Sequence, residues 1–304
     1  MAVYKKTYRP YEGALTAGFR RFLVIPRYAF EDMQKSRFLT IFFLATFIYP
    51  LICALIIYVQ HNASALNLLG QNVGQGARQL ISINSTFFLN FLGWQSMLAL
   101  FLASFIGPGQ VSPDLANNGL SLYLARPFSR AEYVLGKMWI LIVLMSLMTW
   151  IPGLLLFLLQ AYLEDGWSWI RDNSALATGV FFGSWAWILL LALLALALSA
   201  WVKWKPAAGA LMFGVFFVAA GFGAAINGVQ RTKWGHLLNI SSLIGSVWVH
   251  LFNADPNVNN GGVFFRMPVD EQIPLWCCWL ALAGFGAICL FMLHRKIRGA
   301  EVIK

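Results

Sequence analysis

The side chains able to do chemistry are few and scattered. The 304 residues include four histidines, four cysteines and twelve carboxylates. His61, His236, His250 and His294 lie in loops and helix ends, and only His250 and Asp255 are close neighbours in sequence. Cys53, Cys277, Cys278 and Cys289 all sit inside apolar stretches, with a spacing that fits neither a zinc site nor a secreted disulfide framework. Bond-making chemistry needs a nucleophile, a base or a metal brought to one depth with an orienting partner. No such set is visible, so no catalytic, cofactor-binding or metal-ligating residue is expected and the chain does not read as an enzyme. No GxxxxGK[ST] phosphate loop occurs anywhere.

The carboxylates carry a second message. All twelve, from Glu12 to Glu301, fall outside the long apolar stretches. A proton- or sodium-coupled carrier usually holds an ionisable group at mid-depth, so secondary transport is disfavoured. Composition explains the placement. Hydrophobic residues make up 59% of the chain and charged residues 11%, against about 25% charged in a soluble globular domain. So few charges cannot cover a folded surface in water, and the bilayer must be the main solvent. The net charge of +10 belongs with membrane lipid rather than nucleic acid, because no basic stripe accompanies a soluble reading module.

The elements that position these residues are six apolar stretches of spanning length: about 38–60, 87–107, 134–159, 175–201, 207–228 and 273–294. The chain is therefore expected to be an all-α integral membrane protein with a six-helix transmembrane domain over residues 38–294. Basic residues set its orientation. Arg27, Lys35, Arg37, Arg126, Arg130, Lys137, Lys203, Lys205, Arg295 and Lys296, with the rest of both terminal segments, fall on one side; only Arg78, Arg171, Arg231, Lys233 and Arg266 fall on the other. That bias predicts a multi-pass cell (inner) membrane protein with residues 1–37 and the 295–304 tail in the cytoplasm. The N-terminal segment has no apolar core and does not read as a signal peptide.

Several segments have a reading of their own. Leu15, Phe19, Phe22, Leu23, Tyr28 and Phe30 interleave with arginines, as in a helix lying in the cytoplasmic interface, with Pro26 breaking or kinking it. Pro50 and Pro152 fall inside spans and should kink them. Gly209, Gly214, Gly221 and Gly223 give the fifth span a small packing face. Most of the thirteen tryptophans lie near span ends, as in an interfacial belt. Residues 229–272 form a long external loop whose apolar stretch 237–252 is too short to span and reads as a re-entrant or interfacial helix.

One cytoplasmic loop is chemically specific. It runs GPGQVSPDLANNGLSLYLARPFSRAEYVLGK from Gly107 to Lys137. Ser112 suits an N-cap, Pro113 a first helical position and Asp114 the positive end of the helix dipole. Leu115, Leu120, Leu122, Tyr123 and Leu124 supply an apolar face, and Pro127 ends the helix. Ser129 and Glu132 form a capping box for the next helix, which runs into the third span. The expectation is a stiff helical lever rooted in a spanning helix.

The run Asp114, Gly119, Leu120, Leu122, Leu124, Ala125, Arg126, Pro127, Ser129, Arg130, Tyr133, Leu135, Gly136 and Lys137 resembles the signature of ABC-2-type transporter permeases. It departs from many members in having Asn117 and Asn118 where they carry Glu-rich or Arg-Glu pairs. The resemblance implies six spans, an N-terminal elbow helix and short helices in the last external loop. It implies a coupling helix within residues 108–136, with 113–130 docking on a separate nucleotide-binding ATPase subunit that holds the ATP and magnesium. The residues it singles out are Asp114, Leu115, Asn118, Gly119, Leu122, Tyr123, Arg126, Pro127 and Arg130. A second permease chain, identical or related, is implied as well. The expected function is the permease subunit of an ATP-driven transporter, an exporter of a lipid-like or amphipathic substrate. A non-transporting anchor or regulator of an ATPase complex is the alternative, followed by a secondary carrier.

Overall fold

A computed structural model describes residues 24–62, 83–117, 129–164, 166–202, 204–255, 263–265 and 273–297. Those residues form α-helices and two short 3-10 turns, with no strand among them. Six helical stretches are long and apolar enough to cross a membrane: Arg37–His61, Ser85–Ala116, Arg130–Leu163, Ser174–Trp201, Lys205–Gln230 and Leu275–Lys296. Each expected span is present; the first five begin one to four residues earlier than the hydropathy suggests, the second runs on to Ala116, and the sixth is shifted two residues toward its C-terminal end. The spans alternate in direction. One end of the bundle gathers Arg37, Arg130, Lys205 and Lys296, and is called the basic end below.

The breaks in the spans follow from proline. A proline lacks the N–H that would bond the carbonyl four residues earlier. In the first span Pro50 releases the Thr46 carbonyl, and the helix is interrupted between Arg37–Ala45 and Ile48–His61. Gln95 of the second span donates its Nε2 to that carbonyl at 3.0 Å, fully buried. In the third span Pro152 stands after a break at Thr149 (φ −104, ψ −88) between Arg130–Met148 and Trp150–Leu163. The two kinks expected at Pro50 and Pro152 thus occur three or four residues earlier, where hydrogen bonds are lost. Pro26 does not act this way. The first described helix is Val24–Lys35, so Pro26 lies in its first turn, where a missing N–H costs no helical bond. This helix packs against the basic end of the third span.

The core is the fourth span surrounded by the second and third. In the most apolar window of each of these three spans 67% of residues are buried, against 22% in the first, fifth and sixth. The expected short helix in the last external loop is Ile240–Leu251, preceded by a 3-10 turn at Trp234–Leu238. It is not a surface element. Ile240 to Trp248 are all buried, packed between the fourth and sixth spans. Trp248 lies over Gly183, where an added Cβ would come 2.9 Å from its ring, and donates Nε1 to the Gly183 carbonyl at 3.0 Å. Gly183 is nine residues into the fourth span, roughly 13 Å at 1.5 Å per residue. The helix therefore re-enters the bundle rather than resting at its surface. Trp248, Trp187, Phe216, Phe264 and Phe265 meet there with centroid separations of 4.6–6.4 Å, forming an aromatic plug.

Two tryptophan populations result. Trp167, Trp204 and Trp276, at or just beside span ends, are more than 60% exposed, as a belt requires, Trp94 is equally exposed but nine residues into the second span, and Trp187 and Trp248 are fully buried fasteners. Trp248→Ala is expected to cost on the order of 3 kcal/mol and to free the re-entrant helix, while Trp167→Ala changes stability by less than about 0.5 kcal/mol. Thermal unfolding in detergent, with protease access to the segment between the fifth and sixth spans, measures both.

Candidate coupling site at the basic end

The third span begins with the capping box seen in its sequence. Ser129 Oγ accepts from the Glu132 backbone N–H at 3.2 Å, and Glu132 Oε2 accepts from the Ser129 N–H at 2.7 Å. With the helix start fixed at Arg130, Tyr133 and Lys137 fall four residues apart on one face. Both converge on Asp114. Tyr133 donates its hydroxyl to Asp114 Oδ2 at 2.7 Å, and Lys137 Nζ lies 2.9 Å from the same oxygen. The ammonium also sits 5.7 Å from the Tyr133 ring centroid. Tyr133 is fully buried, and the Lys137 and Asp114 side chains are 11% and 18% exposed. An ion pair so screened from water, with an extra hydrogen bond on its acceptor, is costly to break from one side.

Asp114 belongs to the helix Pro108–Ala116, which continues the second span through a turn at Gly107. This corrects the expected capping. Gly107 keeps helical dihedrals (φ −55, ψ −47), so the helix starts at Pro108 rather than Pro113 and Ser112 is buried within it. The group that serves the turn comes from the fourth span. Ser199 Oγ accepts from the backbone N–H groups of Val111 and Ser112, each at 3.0 Å, and donates to the Pro108 carbonyl at 2.8 Å. One hydroxyl has one donor and two acceptor sites, and all three are used. It stands in for helix bonds that Pro108 and the turn disturb.

Close approach makes this possible. A Cβ on Gly107 would lie 2.5 Å from the Ala195 Cβ, and one on Gly209 would lie 2.7 Å from the Ser104 carbonyl oxygen. The turn is thus held between the fourth and fifth spans, beside an open groove of about 410 Å³ between Ser104, Phe105, Lys205 and Phe213.

The expected site residues divide accordingly. Asp114 faces inward to the third span, Leu115 is half-buried against the core, and Arg130 is exposed on the first turn of the third span. Asn118, Gly119, Leu122, Tyr123, Arg126 and Pro127 lie outside the described residues. The described helix ends at Ala116, with Asn117 as its C-cap. Sequence reasoning placed Tyr133 and Lys137 in the motif without a partner and missed Ser199. A lone serine near the end of an apolar span was the only available signal for it.

The family model for ABC-2 family transporter proteins matches residues 29–240, more than two thirds of the chain. The chain belongs to the ABC-2 transporter family. It is a multi-pass transmembrane permease of the ABC transporter class, and the family in general works with a partner ATPase subunit. No curated protein matches it. The matched region contains all of the Asp114–Tyr133–Lys137 and Ser199 contacts and ends where the re-entrant helix of the permease begins.

Asp114→Ala is expected to lower unfolding free energy by about 3 kcal/mol, because Lys137 is left charged and screened from water. Adding Lys137→Met should recover most of that loss. A double-mutant cycle on thermal or denaturant unfolding reads the coupling. Ser199→Ala should cost about 2 kcal/mol, since two backbone donors lose their partner together.

Proposed function

We propose that this permease exports a lipid-like or amphipathic substrate, driven through the 108–130 segment by a separate ATPase subunit on the cytoplasmic side of the cell membrane. The observation that carries this reading is the double attachment of the Pro108–Ala116 helix. Asp114 ties it to the root of the third span and Ser199 ties it to the end of the fourth. A push on the loop that follows Asn117 moves two core helices together. The ATPase binds ATP and magnesium, and this chain supplies only the receiving surface, with Arg130 exposed at its edge. A conformational drive of this kind works only if the docked segment contacts the two nucleotide states of the ATPase differently.

Orientation follows from charge. Arg27, Lys35, Arg37, Arg130, Lys137, Lys205, Arg295 and Lys296 share the basic end, which supports a cytoplasmic location for it and for both termini. The spans carry no acid at mid-depth, which favours an apolar cargo over an ion or a sugar.

A second permease chain completes the pathway. The fifth-span glycines divide into two faces. Gly209 packs on Ser104 and Gly223 on the Gly235 carbonyl within the chain, whereas Gly221 has open space beside it and Gly214 only the edge of Leu211 at 4.0 Å. In a span that is mostly outward-facing, this open small face supports close packing with a second copy or a related permease.

The test is co-reconstitution with an ATPase subunit that copurifies with this permease. Asp114→Asn with Tyr133→Phe is expected to preserve assembly but to reduce substrate transport at least about tenfold relative to ATP hydrolysis, a loss near 1.4 kcal/mol of coupling. Arg130→Glu is expected to weaken ATPase binding itself. Unchanged transport in both variants would refute the coupling role. ATPase stimulation without movement of any lipid or amphiphile would instead identify an anchoring subunit. Gly221→Leu should reduce permease pairing, read by crosslinking in the membrane.

A further inference from the structure

The end of the bundle remote from Asp114 carries a cavity that the transport reading does not use. It has a volume of about 580 Å³ and lies where the fifth span ends and the chain turns back toward the re-entrant helix. Its wall includes Asn227, Arg231, Thr232, Lys233 and His236. No carboxylate among the described residues lines it. Arg231 and Lys233 are exposed and His236 is half-buried. Only three basic residues are described at this end of the bundle, Arg171 being the third. Two of the three therefore share one cavity, against the general tendency of such ends to be poor in lysine and arginine.

The backbone singles out Arg231. It is the C-cap of the fifth span in the left-handed region (φ 48, ψ 42). Glycine or asparagine ordinarily takes that place, because a Cβ is strained there. A helix C-terminus does favour a nearby cation, but any residue of the last turn would satisfy that without the strained dihedrals. From this left-handed position Arg231 contributes to the cavity wall.

Asn227 adds a neutral donor. Its Oδ1 accepts from the Gly235 N–H at 2.7 Å, which pins the carboxamide, and its buried Nδ2 has no hydrogen-bond partner among the described residues. Close packing makes the wall firm, since Gly223 and Gly235 pack backbone to backbone immediately behind it. The wall thus offers a planar fork of donors, an ammonium, a hydroxyl and an unsatisfied amide N–H. That set matches a tetrahedral oxyanion better than a carboxylate or a cation.

We infer that this cavity binds a phosphate-bearing anion, with Arg231 and Lys233 as its charged contacts and Asn227 and Thr232 as its neutral ones. At the level where a spanning helix ends, the phosphate comes either from an anionic lipid headgroup or from solution. The inference stands on this cavity alone and holds whichever way the chain lies in the membrane.

The experiment uses the full chain in nanodiscs, where both faces are open to solvent. One arm titrates inorganic phosphate into discs of neutral phosphatidylcholine and reads the thermal unfolding midpoint, with sulfate-free chloride at equal ionic strength as reference. The other arm includes phosphatidylglycerol in the discs and counts retained lipid by native mass spectrometry. Wild type is expected to show saturable stabilisation or lipid retention in at least one arm. Arg231→Gln should weaken it on the order of tenfold, as loss of one charge-assisted hydrogen bond implies. Arg171→Gln, which removes the same charge from the same end outside the cavity, should leave it unchanged. Response to phosphatidylglycerol alone identifies the headgroup as the source, and response in the phosphate arm identifies the free ion. Arg231→Gly provides the fold control, because it relieves the left-handed strain while removing the guanidinium, and it should lose the ligand without losing stability. Equal weakening by Arg231→Gln and Arg171→Gln, or no response by wild type in either arm, overturns the inference.

Discussion

No water is available in the bilayer core to satisfy a backbone group that a helix has released. Two of the bends in this permease are met by a side chain from a neighbouring helix, and the third, at Thr149, by a hydroxyl of its own span that donates to the Met145 carbonyl at 2.8 Å. Pro50 frees the Thr46 carbonyl, and Gln95 takes it. Pro108 turns the second span, and Ser199 stitches the turn on three sides. Elsewhere the buried indoles of Trp187 and Trp248 donate to the carbonyls of Ser96 and Gly183, at 2.9 and 3.0 Å. Gln95, Ser199, Trp187 and Trp248, which look isolated in apolar stretches, are thus fasteners between helices. Each such contact is modest, on the order of 1 kcal/mol, but leaving its partner empty costs more than the contact contributes.

The same constraint divides the third span into two working halves. Its basic half, Arg130–Met148, is held by Asp114 and packs against the Val24–Lys35 helix. Its far half, Trp150–Leu163, packs against the first span, and Glu164 just beyond it lies 3.0 Å from His61 Nε2. Thr149 stands between the halves with non-helical dihedrals. A tilt imposed through Asp114 is therefore free to change the angle at Thr149 without first pulling the far half from its partners.

How much of this was legible follows the range of each signal. Spans were legible because bilayer thickness imposes about 20 apolar residues on each. The Ser129–Glu132 capping box was legible because its two bonds close within three residues. The placement of Ser112 as a cap was wrong for an instructive reason. Local pattern favoured Ser-Pro-Asp as a helix start, but Gly107 lets the second span continue past its apparent end because Ala195 leaves room for it. The tie from Asp114 to Lys137 joins two different helices, and the tie from Val111 to Ser199 joins residues 88 apart in sequence. Such pairings depend on which helices become neighbours, and periodicity within one segment carries no record of that. The depth of the re-entrant helix was hidden similarly: its length excluded a span, but only the fit of Trp248 over Gly183 decides between surface and interior.

The fourth span joins the two ends of the molecule. Gly179, Gly183, Trp187, Leu191, Ala195 and Ser199 recur every four residues along it, an interval that winds the stripe about 40° around the helix at each step and so presents it to different neighbours at its two ends. Gly179 receives Phe252 and Gly183 receives Trp248 at the far end; Ala195 receives Gly107 and Ser199 receives the Pro108–Ala116 helix at the basic end. The small residues are what allow those approaches, and Trp187 between them anchors the stripe to the second span and to the aromatic plug. From Gly179 to Ser199 the helix rises about 30 Å with no proline and no break. A helix so continuous moves as one body on the scale of its contacts. The basic-end attachment and the seat of the re-entrant helix consequently cannot shift independently: displacement of one requires either movement of the other or loss of a buried hydrogen bond at Ser199, Trp187 or Trp248.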